Sequence, residues 1–215
     1  MLTEAHVRDR AVVVFDVLRA TTTIVTAISS GAKEVRIFGS LDAASLAASE
    51  FAGPKILAGE SRCLAPPGFD LGNSPGDFTP QRVAGKTIFL STTNGTRAIV
   101  AAQGAARLFV AGIVNVTAMA NLLKELDMDV TLLCAGTDGL EAPEDEFGAR
   151  LVKLSTEYQF DHGQRSYIDD IRETAGANNI VAAGLTKDIE FAAKADRFGT
   201  AVEVVGLPPI ARKLQ

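Results

Sequence analysis

The feature that most constrains the fold of this chain is a series of six short apolar runs in which hydrophobic residues follow one another with little polar alternation. Such runs are typical of strands that are buried on both faces, as in the centre of a parallel sheet. Alanine-rich amphipathic stretches separate the runs and predict helices. The predicted strands are residues 11–15, 34–38, 55–60, 87–91, 107–112 and 130–136, and the predicted helices are residues 22–30, 41–51, 96–103, 117–126 and about 144–158.

Strands that alternate with helices predict an α/β fold with three α/β/α layers and a largely parallel or mixed sheet. The chain has 215 residues, of which 47% are hydrophobic, and this is enough for a single domain with a substantial core. A second organisation stays open, in which two similar halves cover about residues 1–85 and 86–215.

An internal echo in the sequence is the basis for the two halves. The first strand is followed by Asp16 and the segment LRATTTIVTAISSGA, and the fourth strand is followed by the segment TTNGTRAIVAAQGA. Turns before helices are often rich in Thr, Asn and Gly because these residues cap helices, so the threonines alone leave capping and function equally open. Capping does not explain the arginines in the two segments, Arg19 and Arg97.

Polar residues follow the ends of the predicted strands. The carboxyl ends of parallel strands meet at one edge of a sheet, where ligands bind, so we expect these residues to lie together. Helix N-termini bind anions through free N–H groups, and arginine is a two-pronged donor for phosphate oxygens. The sequence therefore predicts a small doubly anionic substrate and catalytic roles for Arg19 and Arg97. The predicted substrate-binding residues of the turns are Thr21, Thr22, Thr93, Asn94, Gly95, Thr96 and Asn115.

Carboxylates at the same edge predict a cation site. Asp16, Glu60 and Asp145, with Glu144 beside it, are candidate ligands of Mg²⁺, which prefers oxygen ligands and retains water. Asp16 is also a catalytic candidate, and the sequence does not separate a nucleophile from a metal ligand. Structural alternatives exist, because Asp16 suits a turn or a helix cap, and acids after Pro143 suit the first turn of a helix.

Two further sets of candidates are less sharply defined. The segment after Glu60 is a long loop rich in Gly, Pro and Asn, and loops of that length are more often functional than idle. Within it, Asn73 and Ser74 are predicted to bind the substrate, although the segment GNSP is also typical of a simple turn. Cys134 is a further catalytic candidate, although a cysteine in an apolar strand more often packs as a small hydrophobic residue.

Composition and missing motifs exclude several classes of function. The formal net charge is −5 and no basic stripe is present, so neither nucleic acid nor an anionic membrane is an expected partner. No apolar segment has the length of a membrane span, and the apolar run near the N-terminus is too short for a signal peptide. The two cysteines cannot build a disulfide framework or a structural zinc site, so we expect a cytoplasmic protein. The GxGxxG, GxxxxGK[ST], GxSxG and HExxH motifs are absent.

Six motifs occur in order along nearly the whole chain: VVVFDVLRATTTIVTAISSGAKEV, AGES with GFDLGNSP, LSTTNGTRAI, GIVNVTAMA, CAGTDG with PEDEFGARLV, and DIEFAAKADRFGTAVEVVG. Together they resemble the successive blocks of the 2-phosphosulfolactate phosphatase (ComB-like) family. The resemblance implies a fold particular to that family and a magnesium-dependent phosphatase. It also implies hydrolysis of 2-phospho-3-sulfolactate to 3-sulfolactate and phosphate, a step of the coenzyme M biosynthesis type.

This chain departs from the family pattern at two places. An arginine that often follows Glu60 directly stands here at Arg62, and a cysteine that often follows the aspartate of the acidic helix start is absent, since Phe147 and Gly148 follow Glu146. Alternatives to the implied activity are a phosphatase for another phosphorylated 2-hydroxy acid and a non-catalytic protein that binds an anionic metabolite. A homodimer is a further expectation, since the small alanine-rich helices suit packing against a second subunit.

Overall fold

The computed structural model of this chain describes residues 3–158, 160–163 and 165–214. The strands in these ranges are β1 (Ala11–Phe15), β2 (Glu34–Phe38), β3 (Lys55–Gly59), β4 (Thr87–Ser91), β5 (Arg107–Ala111), β6 (Val130–Cys134), β7 (Val202–Val205) and β8 (Ile210–Lys213). The α-helices are α1 (Ala20–Ser29), α2 (Leu41–Glu50), α3 (Pro80–Val83), α4 (Gly95–Ala101), α5 (Val116–Lys124), α6 (Pro143–Glu157), α7 (Ile168–Ile171), α8 (Ala175–Ala182) and α9 (Thr186–Ala192).

The predicted α/β class and three-layer architecture are confirmed. All six predicted strands are present, and the five predicted helices correspond to α1, α2, α4, α5 and α6 with ends shifted by at most two residues. Alternate residues of β1 point into two separate cores. Val12 and Val14 pack with α1 and α4 on one face of the sheet, whereas Val13 and Phe15 pack with α5 and α6 on the other. No helix in the described ranges is both long and apolar enough to cross a bilayer.

The sheet is mixed and has the strand order β3, β4, β2, β8, β7, β5, β1, β6. Strands β5, β1 and β6 are mutually parallel and form what we name the β1 triplet. Strands β3, β4 and β2 form a second parallel set, the β4 triplet. The antiparallel strands β7 and β8 join the two sets, so the triplets run in opposite directions.

The opposite direction of the triplets corrects one prediction. The carboxyl ends of β1 and β4 do not lie on the same edge of the sheet, as a wholly parallel arrangement would require. They are instead at diagonally opposite corners, and the twist of a sheet brings such corners toward the same face. The two corners do meet, because a Cβ atom added to Gly95 after β4 would overlap Oδ2 of Asp16 after β1.

The sequence echo marks the central strand of each triplet. β1 lies between β5 and β6, and β4 lies between β3 and β2. Strands from residues 1–85 and 86–215 are therefore interleaved within a single sheet. The division of the chain into two such halves does not coincide with a division of this sheet.

Candidate active site

A cavity of about 590 Å³ lies where the turns after β1 and β4 meet. Five parts of the chain form its wall: the two turns themselves, the loop after β3, the turn after β6, and helix α8 with the residue that follows it. Its polar and charged lining residues include Asp16, Arg19, Glu60, Ser61, Arg62, Asn73, Thr93, Asn94, Thr137, Asp138 and Asn179. The structure thus brings together Asp16, Arg19, Glu60, Asn73, Thr93 and Asn94 from the predicted set.

Asp16 is both a helix cap and a cavity residue. Its Oδ1 accepts a hydrogen bond from the Ala20 backbone N–H at 3.1 Å, which caps the start of α1. Its Oδ2 has no donor among the described residues and lies against Gly95. Burial raises the pKa of the carboxyl group to about 6, against the opposing effect of the Ala20 N–H, and the Glu60 charge raises it further. Oδ1 therefore stabilises the start of α1, and Oδ2 is available to bind a ligand or to react.

Residue 95 must be a glycine because Asp16 Oδ2 lies so close to its Cα atom. The residue begins α4 and is buried, and any side chain there would occupy the space of the Asp16 carboxylate. The backbone N–H groups of Asn94 and Gly95 have no acceptor among the described residues. They are free donors beside a carboxylate at the cavity, as expected of a turn that approaches a bound anion.

Two threonines predicted to bind the substrate instead hold the turns in place. The Thr21 hydroxyl accepts from the Asp16 backbone N–H at 3.0 Å and donates to the Asp16 carbonyl at 2.9 Å. The Thr96 hydroxyl makes the same pair of bonds with Thr92, both at 2.9 Å. The two turns thus share one construction, with Thr92 in the place of Asp16. Both hydroxyls are fully buried, and neither residue lines the cavity.

Thr22 and Asn115 also lie outside the cavity wall. The Thr22 hydroxyl donates to the Val17 carbonyl at 2.9 Å. The Asn115 side chain accepts from the Gly112 N–H and donates to the Thr200 carbonyl, each at 3.0 Å. Asn73, by contrast, lines the cavity, and its Oδ1 is buried without a hydrogen-bond partner among the described residues.

Arg19 is buried in a polar network that sequence reasoning missed. Its Nη1 donates to Asp188 Oδ2 at 2.6 Å and to Ser74 Oγ at 3.2 Å, and its Nη2 donates to the Cys63 carbonyl at 2.6 Å. Ser74 Oγ itself donates to Asp188 at 2.8 Å. The predicted residue Ser74 therefore positions Arg19. Because Nη1 and one hydrogen of Nη2 are used in this network, only the Nε–H and the second Nη2 hydrogen lack an acceptor among the described residues, and Asp188 balances the charge.

Glu60 ties the loop after β3 to the turn after β4. Its Oε1 accepts from the Thr93 N–H at 2.6 Å and its Oε2 accepts from the Cys63 N–H at 2.9 Å. In the loop after β3, Arg62 and Cys63 form the tip of a tight turn between Ser61 and Leu64 and have positive φ angles of 50° and 68°. Arg62 is exposed at the cavity and has no ion-pair partner among the described residues. It is a positive charge available to an anionic ligand.

Asp145 holds the backbone behind the cavity. Its Oδ1 accepts from the Val17 N–H at 2.7 Å and its Oδ2 accepts from the Gly136 N–H at 3.1 Å. Its pKa lies well above the usual aspartate value, because the group is buried and because the Asp16 charge is near. Asp145 does not line the cavity, so the structure brings it close to Asp16 but behind the wall.

Two predicted catalytic residues lie apart from the cavity. Arg97 lines a separate cavity of about 410 Å³ together with Ser91 and Thr92. Glu60, Ser61 and Thr93 line both cavities and stand between them. Cys134 lines neither cavity. Burial raises the pKa of its thiol to about 12, so the group stays protonated at neutral pH and is a poor nucleophile.

The carboxylates do not form a dedicated metal cage. In the described ranges, no group of three or more His, Cys, Asp or Glu residues is arranged to hold a metal ion. Mg²⁺ commonly uses one or two protein carboxylates and completes its coordination with water and substrate phosphate. The unpartnered oxygens of Asp16 and Asn73 suit that kind of site better than a site for a fully enclosed ion.

Comparisons with known proteins point to one family. Residues 1–206 match the family described as 2-phosphosulpholactate phosphatase. A protein of Carboxydothermus hydrogenoformans named "Probable 2-phosphosulfolactate phosphatase" is 36% identical, over 88% of this chain and 84% of the relative. Relatives with the same name in Thermotoga petrophila and Deinococcus radiodurans are each 35% identical. They cover 93% and 90% of this chain, and 91% and 87% of their own lengths.

Proposed function

This chain belongs to the 2-phosphosulfolactate phosphatase family, and we propose that its cavity between the β1 and β4 turns hydrolyses 2-phospho-3-sulfolactate with the help of Mg²⁺. It is a phosphoric monoester hydrolase. The observation that carries the proposal is the buried Asp16 carboxylate, which has one oxygen free at the cavity beside two free backbone N–H groups. The coenzyme M pathway, a cytoplasmic location and a homodimer stay predictions.

The charge of the cavity supports a cation. The substrate has a phosphate, a carboxylate and a sulfonate, whereas the lining has acids at Asp16, Glu60 and Asp138 and arginines at Arg19 and Arg62. A polyanion beside these carboxylates would be repelled unless a cation intervenes. Bound Mg²⁺ would neutralise charge on the phosphoryl group as it is transferred.

The residues present fit such an ion. Asp16 is the best-placed predicted ligand, because its Oδ2 accepts no hydrogen bond from the described residues. The amide oxygen Oδ1 of Asn73, which has no hydrogen-bond partner among the described residues, is a second possible ligand on the same wall and is neutral. The other two predicted ligands, Glu60 and Asp145, each already accept two backbone N–H bonds, so they are less available to an ion than Asp16 is.

Two mechanisms remain open for the phosphate transfer. In the first, Asp16 Oδ2 forms the new bond to phosphorus while the ester P–O bond breaks, the departing alkoxide takes a proton from water, and a second water then cleaves the aspartyl phosphate and restores the carboxylate. In the second, Asp16 would be a metal ligand, water attacks phosphorus as the ester P–O bond breaks, and a proton of that water goes to the departing alkoxide. In both, the Arg19 donors and the N–H groups of Asn94 and Gly95 would orient the phosphoryl oxygens for in-line attack. Arg62 would bind the carboxylate or sulfonate.

The direct test is phosphate release from a panel of substrates. Purified protein would be given 2-phospho-3-sulfolactate and other phosphorylated 2-hydroxy acids, first with Mg²⁺ and then with a chelator. The proposal expects Mg²⁺-dependent release that is fastest with 2-phospho-3-sulfolactate. Faster release from another member of the panel would reassign the substrate. Binding without release from any member would favour the non-catalytic alternative and refute the phosphatase.

The raised pKa of Asp16 predicts an acid limb in the pH profile. Either role of Asp16 requires the ionised carboxylate, so kcat/KM should fall about tenfold per pH unit below about pH 6, the pKa of this group. Higher Mg²⁺ concentrations should move the limb to lower pH, because a nearby cation favours the ionised form. Initial rates at subsaturating substrate between pH 4.5 and 8 would check this. A flat profile through pH 6 would contradict it.

Replacing Gly95 with Ala should impair catalysis and also lower stability. The added Cβ would overlap Asp16 Oδ2 and the Ala20 Cβ, so it would displace the carboxylate and press against the start of α1. A displacement on the order of 1 Å at a reacting group costs about 100-fold in kcat. Gly39→Ala is the control, since Gly39 also lies between a strand and a helix and an added Cβ there meets no atom within 4 Å. Equal turnover numbers for the two variants would show that the Asp16 position does not matter.

A further inference from the structure

Glu144 is a buried carboxylate for which the described residues supply no hydrogen-bond or ion-pair partner. It lies in the first turn of α6, and only 1% of its surface is exposed. Its Oε2 is buried and has no hydrogen-bond partner among the described residues. No described basic side chain forms an ion pair with it. Carboxylates are rarely buried in this way unless they are paired or bind a metal, because burying an unpaired charge is costly.

Its neighbour Asp145 is equally buried but fully used by the fold. Both Asp145 oxygens accept backbone N–H groups, from Val17 and Gly136. Two adjacent acids of the same helix turn therefore differ in role. Asp145 fastens the end of β1 to the segment after β6, whereas Glu144 makes no hydrogen bond or ion pair with the described residues.

The Glu144 carboxylate lies directly behind the wall of the cavity. A Cβ atom added to Gly176 would overlap Glu144 Oε1, and Gly176 itself lines the cavity. Only glycine leaves room for the carboxylate at that point of α8. The charge of Glu144 also acts on Asp16, where it contributes to the raised pKa. Glu144 and Asp16 are thus close enough to interact.

We propose that Glu144 binds the divalent cation together with Asp16, and that Asp145 is a positioning residue that holds the backbone between them. The inference rests on the proposed function for the identity of the cation as Mg²⁺. It explains why an unpaired acid is kept at a buried position and why residue 176 has no side chain. The competing explanation is structural, with Glu144 placed only to interact with the N-terminus of α8 (Ala175–Ala182).

Cation binding by Glu144→Gln is the first test and needs no substrate. Mn²⁺ would be the probe, followed by electron paramagnetic resonance, with Mg²⁺ titrated by calorimetry. We expect Glu144→Gln to bind either ion at least about 10-fold more weakly than wild type. Glu146→Gln is the matched control, because Glu146 lies in the same helix turn and is exposed. Wild-type affinity in Glu144→Gln would overturn the proposal.

Thermal melting separates the metal role from the structural one. The proposal expects Mg²⁺ to raise the Tm of wild type and Glu146→Gln but not of Glu144→Gln. Without metal, Glu144→Gln should melt at or above the wild-type temperature, because an unpaired buried charge has been removed. A lower Tm with an unchanged Mg²⁺ shift would show a structural role and refute the proposal.

Gly176→Ala is an independent second variant. The methyl group would displace the Glu144 carboxylate while leaving every ionisable group in place. We expect loss of Mn²⁺ binding of the same size as in Glu144→Gln. Gly199→Ala is the control, because an added Cβ there meets no atom within 4 Å. Folded Gly176→Ala with wild-type Mn²⁺ affinity would contradict the inference.

These outcomes are distinguishable from failure of the proposed function. Wild-type protein that releases phosphate but binds neither Mn²⁺ nor Mg²⁺ would overturn the role of Glu144 and leave the phosphatase standing. Cation binding that depends on Glu144, without phosphate release from any substrate, would refute the phosphatase and leave the cation site standing.

Discussion

Asp16→Asn is expected to lower kcat/KM by roughly 1,000-fold or more, the range seen when a group essential to proton transfer or attack is removed. The substitution removes the charge at Oδ2, the oxygen that is free at the cavity. It keeps a side-chain oxygen that can accept the Ala20 N–H, so α1 stays capped. The folded protein should therefore be as stable as wild type or more so, because the charged form of Asp16 is disfavoured by burial.

Steady-state kinetics and thermal melting of the same preparation would check this prediction. Asp138→Asn is the control, because Asp138 also lines the cavity but lies exposed at the tip of a turn. We expect only a small change of kcat/KM for Asp138→Asn. Turnover within a few-fold of wild type in Asp16→Asn would remove Asp16 from the reaction, whichever of its two roles is considered.

Asp188→Ala should have the largest effect on stability. The Asp188 and Arg19 side chains are 9% and 2% exposed and form an ion pair with N···O distance 2.6 Å. Removing one partner of a buried pair leaves an uncompensated charge, so the free energy of unfolding should fall by about 3 kcal/mol. Catalysis should fall as well, because Asp188 and Ser74 hold the guanidinium of Arg19 at the cavity.

Urea denaturation would measure the loss, with Glu190→Ala as the control. Glu190 lies two residues further along α9 and is exposed, so its removal should change the free energy of unfolding by no more than about 0.5 kcal/mol. Equal stability of the two variants would mean that the Arg19–Asp188 pair is not a buried pair in solution.

The parts of the fold that follow from local pattern could be predicted from the sequence. β1 and β4 are mostly apolar and are buried along their whole length, which is a strong signal. The other parallel strands have an apolar centre that is long enough to stand out. β7 and β8 have four residues each and carry charged side chains such as Glu203 and Arg212, so their runs do not stand out. Missing this antiparallel pair led to the wrong prediction of one common edge.

The site was predictable only where it is local. The motifs after β1 and β4 located Asp16 and Gly95, because turns that follow buried strands gather at ligand sites. The roles of the threonines in the same motifs could not be assigned from the sequence. A hydroxyl that hydrogen-bonds to the backbone and one that binds substrate occur in the same sequence context. Asp188 lies 169 residues from Arg19, and no spacing rule connects them. Asp188 begins the segment DIEF, which is part of the last motif that resembles the family, and this position in the motif was the available sign that the residue has a role.

A crystal structure of the wild-type protein with Mn²⁺ and the product 3-sulfolactate would show whether the cavity at Asp16 is the active site. We expect an anomalous Mn²⁺ peak between Asp16 and Glu144, with 3-sulfolactate in the 590 Å³ cavity and its acidic groups near Arg62. A Mn²⁺ ion and product located together in the cavity lined by Arg97, with the Asp16 cavity free of both, would contradict this expectation.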